Sequence, residues 1–208
     1  MRRAALVALV LSAVLASAAI AAGWRTYRDA EDGFSIAVPA GWQVVPHATA
    51  DVRALARRLQ AEHRTALANQ LEEIATSRKT QPAVYRFQAL QWPAPKGATI
   101  PDVTVRVDTV ARAARLSVIA AQFEQALGKP RGATVEPPAA VKLPAGAAVR
   151  IAGTTRLGPK LHAAYVVYLI LRPGRLYSVA FRCLEVQERA EAPLFTRIAS
   201  RFQSIARR

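Results

Sequence analysis

Side chains able to do covalent chemistry are few and scattered. Cys183 is the single cysteine, and the histidines are His47, His63 and His162. A thiol nucleophile needs a base beside it. His162 precedes one apolar run and Cys183 lies in the next, so neighbouring strands could pair them in a thiol or hydrolytic enzyme. The competing reading is that Cys183, within Val179-Ala180-Phe181-Arg182-Cys183-Leu184, is a small buried hydrophobe, and the sequence favours it. No G-x-S-x-G elbow, H-E-x-x-H pair or glycine-rich phosphate loop is present. Asp29, Glu31 and Asp32 crowd one turn but lack the glycine and distal glutamate of a calcium loop. His63 falls on the apolar stripe of a helix, and His47 lies in a loop. The expectation is a protein that is not an enzyme, with no catalytic residue, no metal site and no cofactor.

Arginine is the abundant functional side chain. The formal charge is +15, which attracts membrane head groups, wall polymers or nucleic acid. The arginines are dispersed, with no block of five like charges. Arg53, Arg57, Arg58, Arg64, Arg197 and Arg201 are the candidate anion contacts, joined by Arg207 and Arg208. No nucleic-acid motif occurs, which sets that partner aside and leaves a protein or envelope partner, or an anionic surface.

The N-terminus gives an address. Arg2 and Arg3 precede an uncharged stretch from Ala4 to Ala21 whose centre is rich in Leu and Val. Ala19-Ile20-Ala21 and Ala21-Ala22-Gly23 are small-residue cleavage sites. This is the layout of a signal peptide, cut near Ala21 or Ala22. The stretch is close to the minimum spanning length of about 18 residues, so a retained anchor is the alternative. Its alanine-rich end and the lack of a basic stop-transfer cluster argue against it. Residues 1–21 are thus expected to leave a single domain over 24–208, secreted or periplasmic, without a stable transmembrane anchor. No cysteine stands at the cleavage point for lipid attachment. Loss of Arg2 and Arg3 lowers the charge of +15 by two.

The elements that must position these residues follow from periodicity. Trp24–Tyr27, Phe34–Pro39 and Gln43–Val45 read as strands. Asp51 caps a long helix running to near Ser77, with Val52, Leu55, Leu59, His63, Ala66, Gln70 and Ile74 on one stripe. Ala83–Trp92 is a strand, and Val103, Val105 and Val107 alternate in another. Ser117 is placed as an N-cap of a helix ending at Gly128. A short strand covers Thr134–Glu136. Strands follow at Ala148–Arg156, Ala163–Leu171 and Leu176–Leu184, the last two joined by a turn at Pro173-Gly174. A final helix starts at Pro193, with Leu194, Ile198, Phe202 and Ile205 on its stripe. This order gives an α+β fold, an α-β-α sandwich with a mainly antiparallel sheet.

Tyr27, Gly33-Phe34-Ser35-Ile36, Val38-Pro39 and Gly41-Trp42 resemble the opening motif of the PsbP-like superfamily. Leu176-Tyr177-Ser178-Val179-Ala180-Phe181, Pro193-Leu194-Phe195, Ile198 and Arg201-Phe202 resemble its last strand and helix. The resemblance implies an α-β-α sandwich around an antiparallel sheet and carries over no binding residue. Its members include many exported bacterial proteins. The expected function is an exported accessory or binding protein of the envelope or extracellular space. The alternative is electrostatic attachment to an anionic membrane or wall polymer.

Overall fold

The structure, a computed structural model, describes residues 23–80, 85–93 and 99–205. Residues 1–22, where the signal peptide and its cleavage near Ala21 or Ala22 are expected, and Arg207 and Arg208 lie outside the described residues.

Alternating apolar residues build a small sheet first. β1 (Trp24–Asp29) and β2 (Phe34–Pro39) form a hairpin. Its turn places Gly33 at φ +69°, where a Cβ would cost about 1 kcal/mol or more. Side chains alternate along β2, so Phe34, Ile36 and Val38 all enter the core. β11 (Gln203–Ser204) pairs with β2 to complete three strands.

The larger sheet runs in the order β3 (Gln43–Val44), β4 (Tyr85–Leu90), β5 (Asp102–Thr109), β10 (Arg175–Leu184), β9 (His162–Arg172), β8 (Gly146–Arg156) and β6 (Thr134–Val135). β7 (Ala139–Leu143) also pairs with β8, and every pairing among the described residues is antiparallel. β9 is almost continuously apolar because both of its faces are covered. Its hairpin with β10 turns at Pro173-Gly174, and Gly174 has the φ of +78° that a type II turn requires.

Helices occupy both faces. α1 (Thr49–Ala61), α2 (Thr65–Thr80) and α3 (Leu116–Gly128) lie over one face, and α4 (Glu188–Ala199) lies over the other beside the small sheet. The fold is the antiparallel α-β-α sandwich expected. The two sequence motifs meet inside it. Phe34 stacks on Phe202 at 5.8 Å, and Phe181 stacks on Phe195 at 4.9 Å. The Tyr177 hydroxyl donates to the carbonyls of Asp32 at 3.0 Å and Gly33 at 3.2 Å. These residues close the core and leave no group for chemistry.

Three expectations need correction. The long helix from Asp51 to Ser77 is two helices, broken at residues 62–64, where His63 is exposed at φ 59°. Both helices bury apolar residues in one cluster, Val52, Leu55 and Leu59 from α1 and Leu67, Leu71 and Ala75 from α2. The stripe therefore persists across the break and hides it. Ser117 is not the N-cap of α3; Arg115 holds that place, with no side-chain cap bond. The last helix starts at Glu188 and contains Pro193, and it ends at Ala199, so Phe202 and Ile205 lie beyond it. β7 was not anticipated, because Pro137-Pro138 and Pro144 flank a strand of only five residues.

Candidate functional site

Between α2 and the end of α3 the large sheet floors an open cleft of about 780 Å³, inside the range of small-molecule sites. Strand register sets the floor. Gln88, Thr104, Ala180 and Val167 stand in one cross-strand row, and Leu90, Asp102, Arg182 and Tyr165 in the next. The floor is polar on β4 and β5 and turns apolar at Val167 and Tyr165 on β9. α2 supplies one wall through Glu73, Ile74 and Arg78, while Leu127 and Leu157 stand opposite. Tyr85 and Leu157 are 39% and 47% exposed at the rim.

A hydrogen-bond relay crosses the polar floor. Arg78 Nη2 donates to Gln88 Oε1 at 3.4 Å, Gln88 Nε2 donates to Asp102 Oδ2 at 3.4 Å, and Arg182 Nη2 donates to the same oxygen at 3.2 Å. Asp102 is buried, and burial raises its carboxyl above the ordinary range while Arg182 and Gln88 pull it back. Arg78 Nη1 also donates to the carbonyls of Pro46 and His47 at 2.8 and 2.9 Å, and desolvation lowers its pKa. α2 is fixed over the floor by Gln70, which exchanges two hydrogen bonds with the Ile100 backbone. At the far edge the Tyr165 hydroxyl donates to the Thr134 carbonyl at 3.3 Å. Gly153 makes room there: a Cβ would lie 2.6 Å from that hydroxyl and 2.1 Å from the Thr134 oxygen.

The residues singled out from sequence lie elsewhere. Cys183 is buried in β10 on the opposite face, and its thiol is pushed up to about 12 by burial and by Glu191, Glu188 and Asp102. A nucleophilic thiol needs the reverse shift. His162 pairs in register with Arg156, and Cys183 with Ala164, so the two are offset by two residues along β9. His47 and His63 are exposed in separate loops. In the acidic turn Asp29 Oδ1 accepts from the Asp32 N–H at 2.8 Å, and Asp32 pairs with Arg86 at 2.7 Å. Among the described residues no three His, Cys, Asp or Glu side chains gather as a metal site would need.

The six candidate arginines divide between the layers. Arg53, Arg57 and Arg58 are on α1 and Arg64 follows it, whereas Arg197 is on α4 and Arg201 just beyond. Arg58 and Arg64 both approach Glu62, at 3.7 and 3.5 Å. Arg64 also covers the Trp92 ring, and Arg201 lies 4.1 Å over the Trp24 ring. The cleft residues Arg78, Gln88, Asp102 and Arg182 escaped sequence reasoning. For Gln88 and Asp102 the signal was a polar residue at a strand position that a helix layer buries, visible only once β4 and β5 are known to be covered on both faces.

No family model matches the sequence, and no curated protein matches it. Solved structures do. The solution structure of cyanobacterial PsbP (CyanoP) from Synechocystis sp. PCC 6803 aligns with a TM-score of 0.54 and 14% identity, covering 88% of this chain and 93% of that one. The crystal structure of LpqN, involved in cell envelope biogenesis of Mycobacterium tuberculosis, aligns with a TM-score of 0.55 and 10% identity, covering 87% and 90%.

Proposed function

On this PsbP-like fold, we propose that the chain is an exported, non-enzymatic binding protein of the cell envelope or extracellular space, and that the cleft is its binding site. The observation that carries the reading is the cleft itself: a pocket-sized opening with a polar relay anchored on buried Asp102 and an apolar rim. Such a mix of apolar walls and few placed polar groups is the usual build of a ligand site. The N-terminal signal layout supports export, and the envelope role of LpqN supports the compartment. No helix among the described residues is long and apolar enough to cross a membrane.

The test is expression of the full chain with a C-terminal tag in a bacterial host, followed by fractionation and N-terminal sequencing. The expected product lies outside the cytoplasm and begins just after Ala21 or Ala22. Capture from an envelope extract should return a specific component. An uncleaved cytoplasmic product would remove the export reading, and empty capture would remove the binding reading.

A second reading, electrostatic attachment to an anionic surface, rests on the +15 charge. Arg53, Arg57, Arg58, Arg64, Arg197 and Arg201 would make the contacts. It is compatible with the first, because these arginines and the cleft are different residues.

A further inference from the structure

The two ends of the cleft differ in chemistry. At the β5–β10 end the Arg182 side chain is 47% exposed, with Nη2 tied to Asp102. On the facing wall Arg78 donates to two backbone carbonyls and an amide oxygen. Two guanidinium groups therefore border one end of the opening. Of the two carboxylates in the lining, Asp102 is buried beneath Gln88 and Arg182, and Glu73 is exposed on α2. At the other end Leu127, Leu157, Tyr165 and Val167 supply apolar surface.

A ligand matching both ends has an acidic head and an apolar chain. Resting on the binding-protein reading above, we propose that the cleft takes a single-chain anionic amphiphile. Its carboxylate or comparable acidic head sits at Arg182 and Arg78, and its chain crosses Val167 toward Leu127 and Leu157. Arginine suits this head, because its planar fork matches a carboxylate and stays charged when partly desolvated. The apolar end supplies the area term of binding. The overall charge of +15 raises the local concentration of anions around the chain. A neutral amphiphile would leave the arginine end unmatched, and a cationic one would be repelled.

The experiment is titration of the purified full chain with dansyl-aminoundecanoic acid, kept below micelle-forming concentration and read by dansyl emission. Binding is expected to saturate. It should weaken about tenfold or more when Arg182→Gln removes the charged partner, and by a similar factor when the probe is its neutral methyl ester. Because Arg182 also partners buried Asp102, a second variant is needed. Leu157→Glu, at an exposed rim position, should weaken binding without touching the core. Arg189→Gln, exposed on α4 over the opposite face, should leave it unchanged, which separates the cleft from general surface charge.

A parallel arm offers phosphatidylglycerol vesicles doped with dansyl-labelled lysophosphatidylglycerol, a single-chain anionic lipid. Transfer from vesicle to protein identifies a membrane lipid as the source, and binding of the monomeric acid alone identifies a free acid; either upholds the proposal. Equal affinity for acid and ester overturns it, as does wild-type binding by both cleft variants. If no probe binds but an envelope component is still captured, the ligand assignment fails and the binding-protein reading stands. If both fail, both fall.

Discussion

Glu191 sits at 7% exposure in α4, facing Gln91. Gln91 Nε2 donates to Glu191 Oε1 at 3.2 Å, while Gln91 Oε1 is buried without a partner among the described residues. Burial raises the Glu191 carboxyl above its ordinary value, and the Gln91 bond offsets only part of that rise. A carboxyl with a higher pKa folded than unfolded favours the folded state at low pH. That contribution is lost as pH climbs from the ordinary carboxylate value, about 4.3, through the raised one. Glu191→Gln keeps the shape, removes the charge and supplies a donor for Gln91 Oε1. It should stabilise the fold at pH 7 by about 1 kcal/mol, with the gain shrinking toward pH 4. Thermal melts of both proteins at the two pH values test this, and an equal gain at both would exclude the titration account. Single residues were unevenly legible in the sequence. Cys183 was, because the five other residues of Val179–Leu184, all but Arg182 apolar, predict burial. Glu191 was not, because Pro193 drew the helix start past it, although proline is tolerated anywhere in a first turn and here lies beyond one.

At the scale of elements, strands and their turns were readable because period-two alternation and the Gly33 and Pro173-Gly174 signals are local. The helical layer over the cleft was not. α1 and α2 turn at Glu62-His63-Arg64 without glycine or proline, and the turn is carried by a histidine in the left-handed region. His is among the few non-glycine residues that adopt this conformation with any frequency. The consequence for the site is direct: a straight helix would carry Arg78 and Gln70 away from the sheet, whereas the break brings α2 over Gln88 and Ile100. His63→Gly should relieve the left-handed strain, partly offset by glycine's unfolded-state entropy, for a net gain of up to about 0.5 kcal/mol. His63→Val should cost about 1 kcal/mol or more, since a β-branched residue is least tolerant of positive φ. Urea unfolding gives both values. If valine proves as stable as glycine, the loop is not held at positive φ, and the hairpin is held by the Val52, Leu59, Leu67 and Leu71 contacts alone.

At the scale of the molecule, the placement of charge decides what the basic composition can do. Had Arg53, Arg57, Arg58, Arg64, Arg197 and Arg201 shared one face, a flat anionic surface could engage all of them together. Instead the first four belong to the layer carrying α1 and α2, and the last two to the layer carrying α4. Three of the six are also drawn onto Glu62 or an aromatic ring. Their attraction to a surface is then the sum of weak, exposed interactions, each screened over a Debye length of about 10 Å at 0.1 M salt and about 3 Å at 1 M. Retention on phosphatidylglycerol vesicles should therefore be strong at low ionic strength and largely gone by about 0.5 M salt. The Arg53→Gln, Arg57→Gln, Arg58→Gln triple variant should reduce it only in part, because the α4 side remains. Cosedimentation across a salt series measures both. Complete loss in the triple variant would mean that α1 alone forms the contact surface, and retention that ignores salt would mean that the apolar cleft, not the charge, holds the protein to the vesicle.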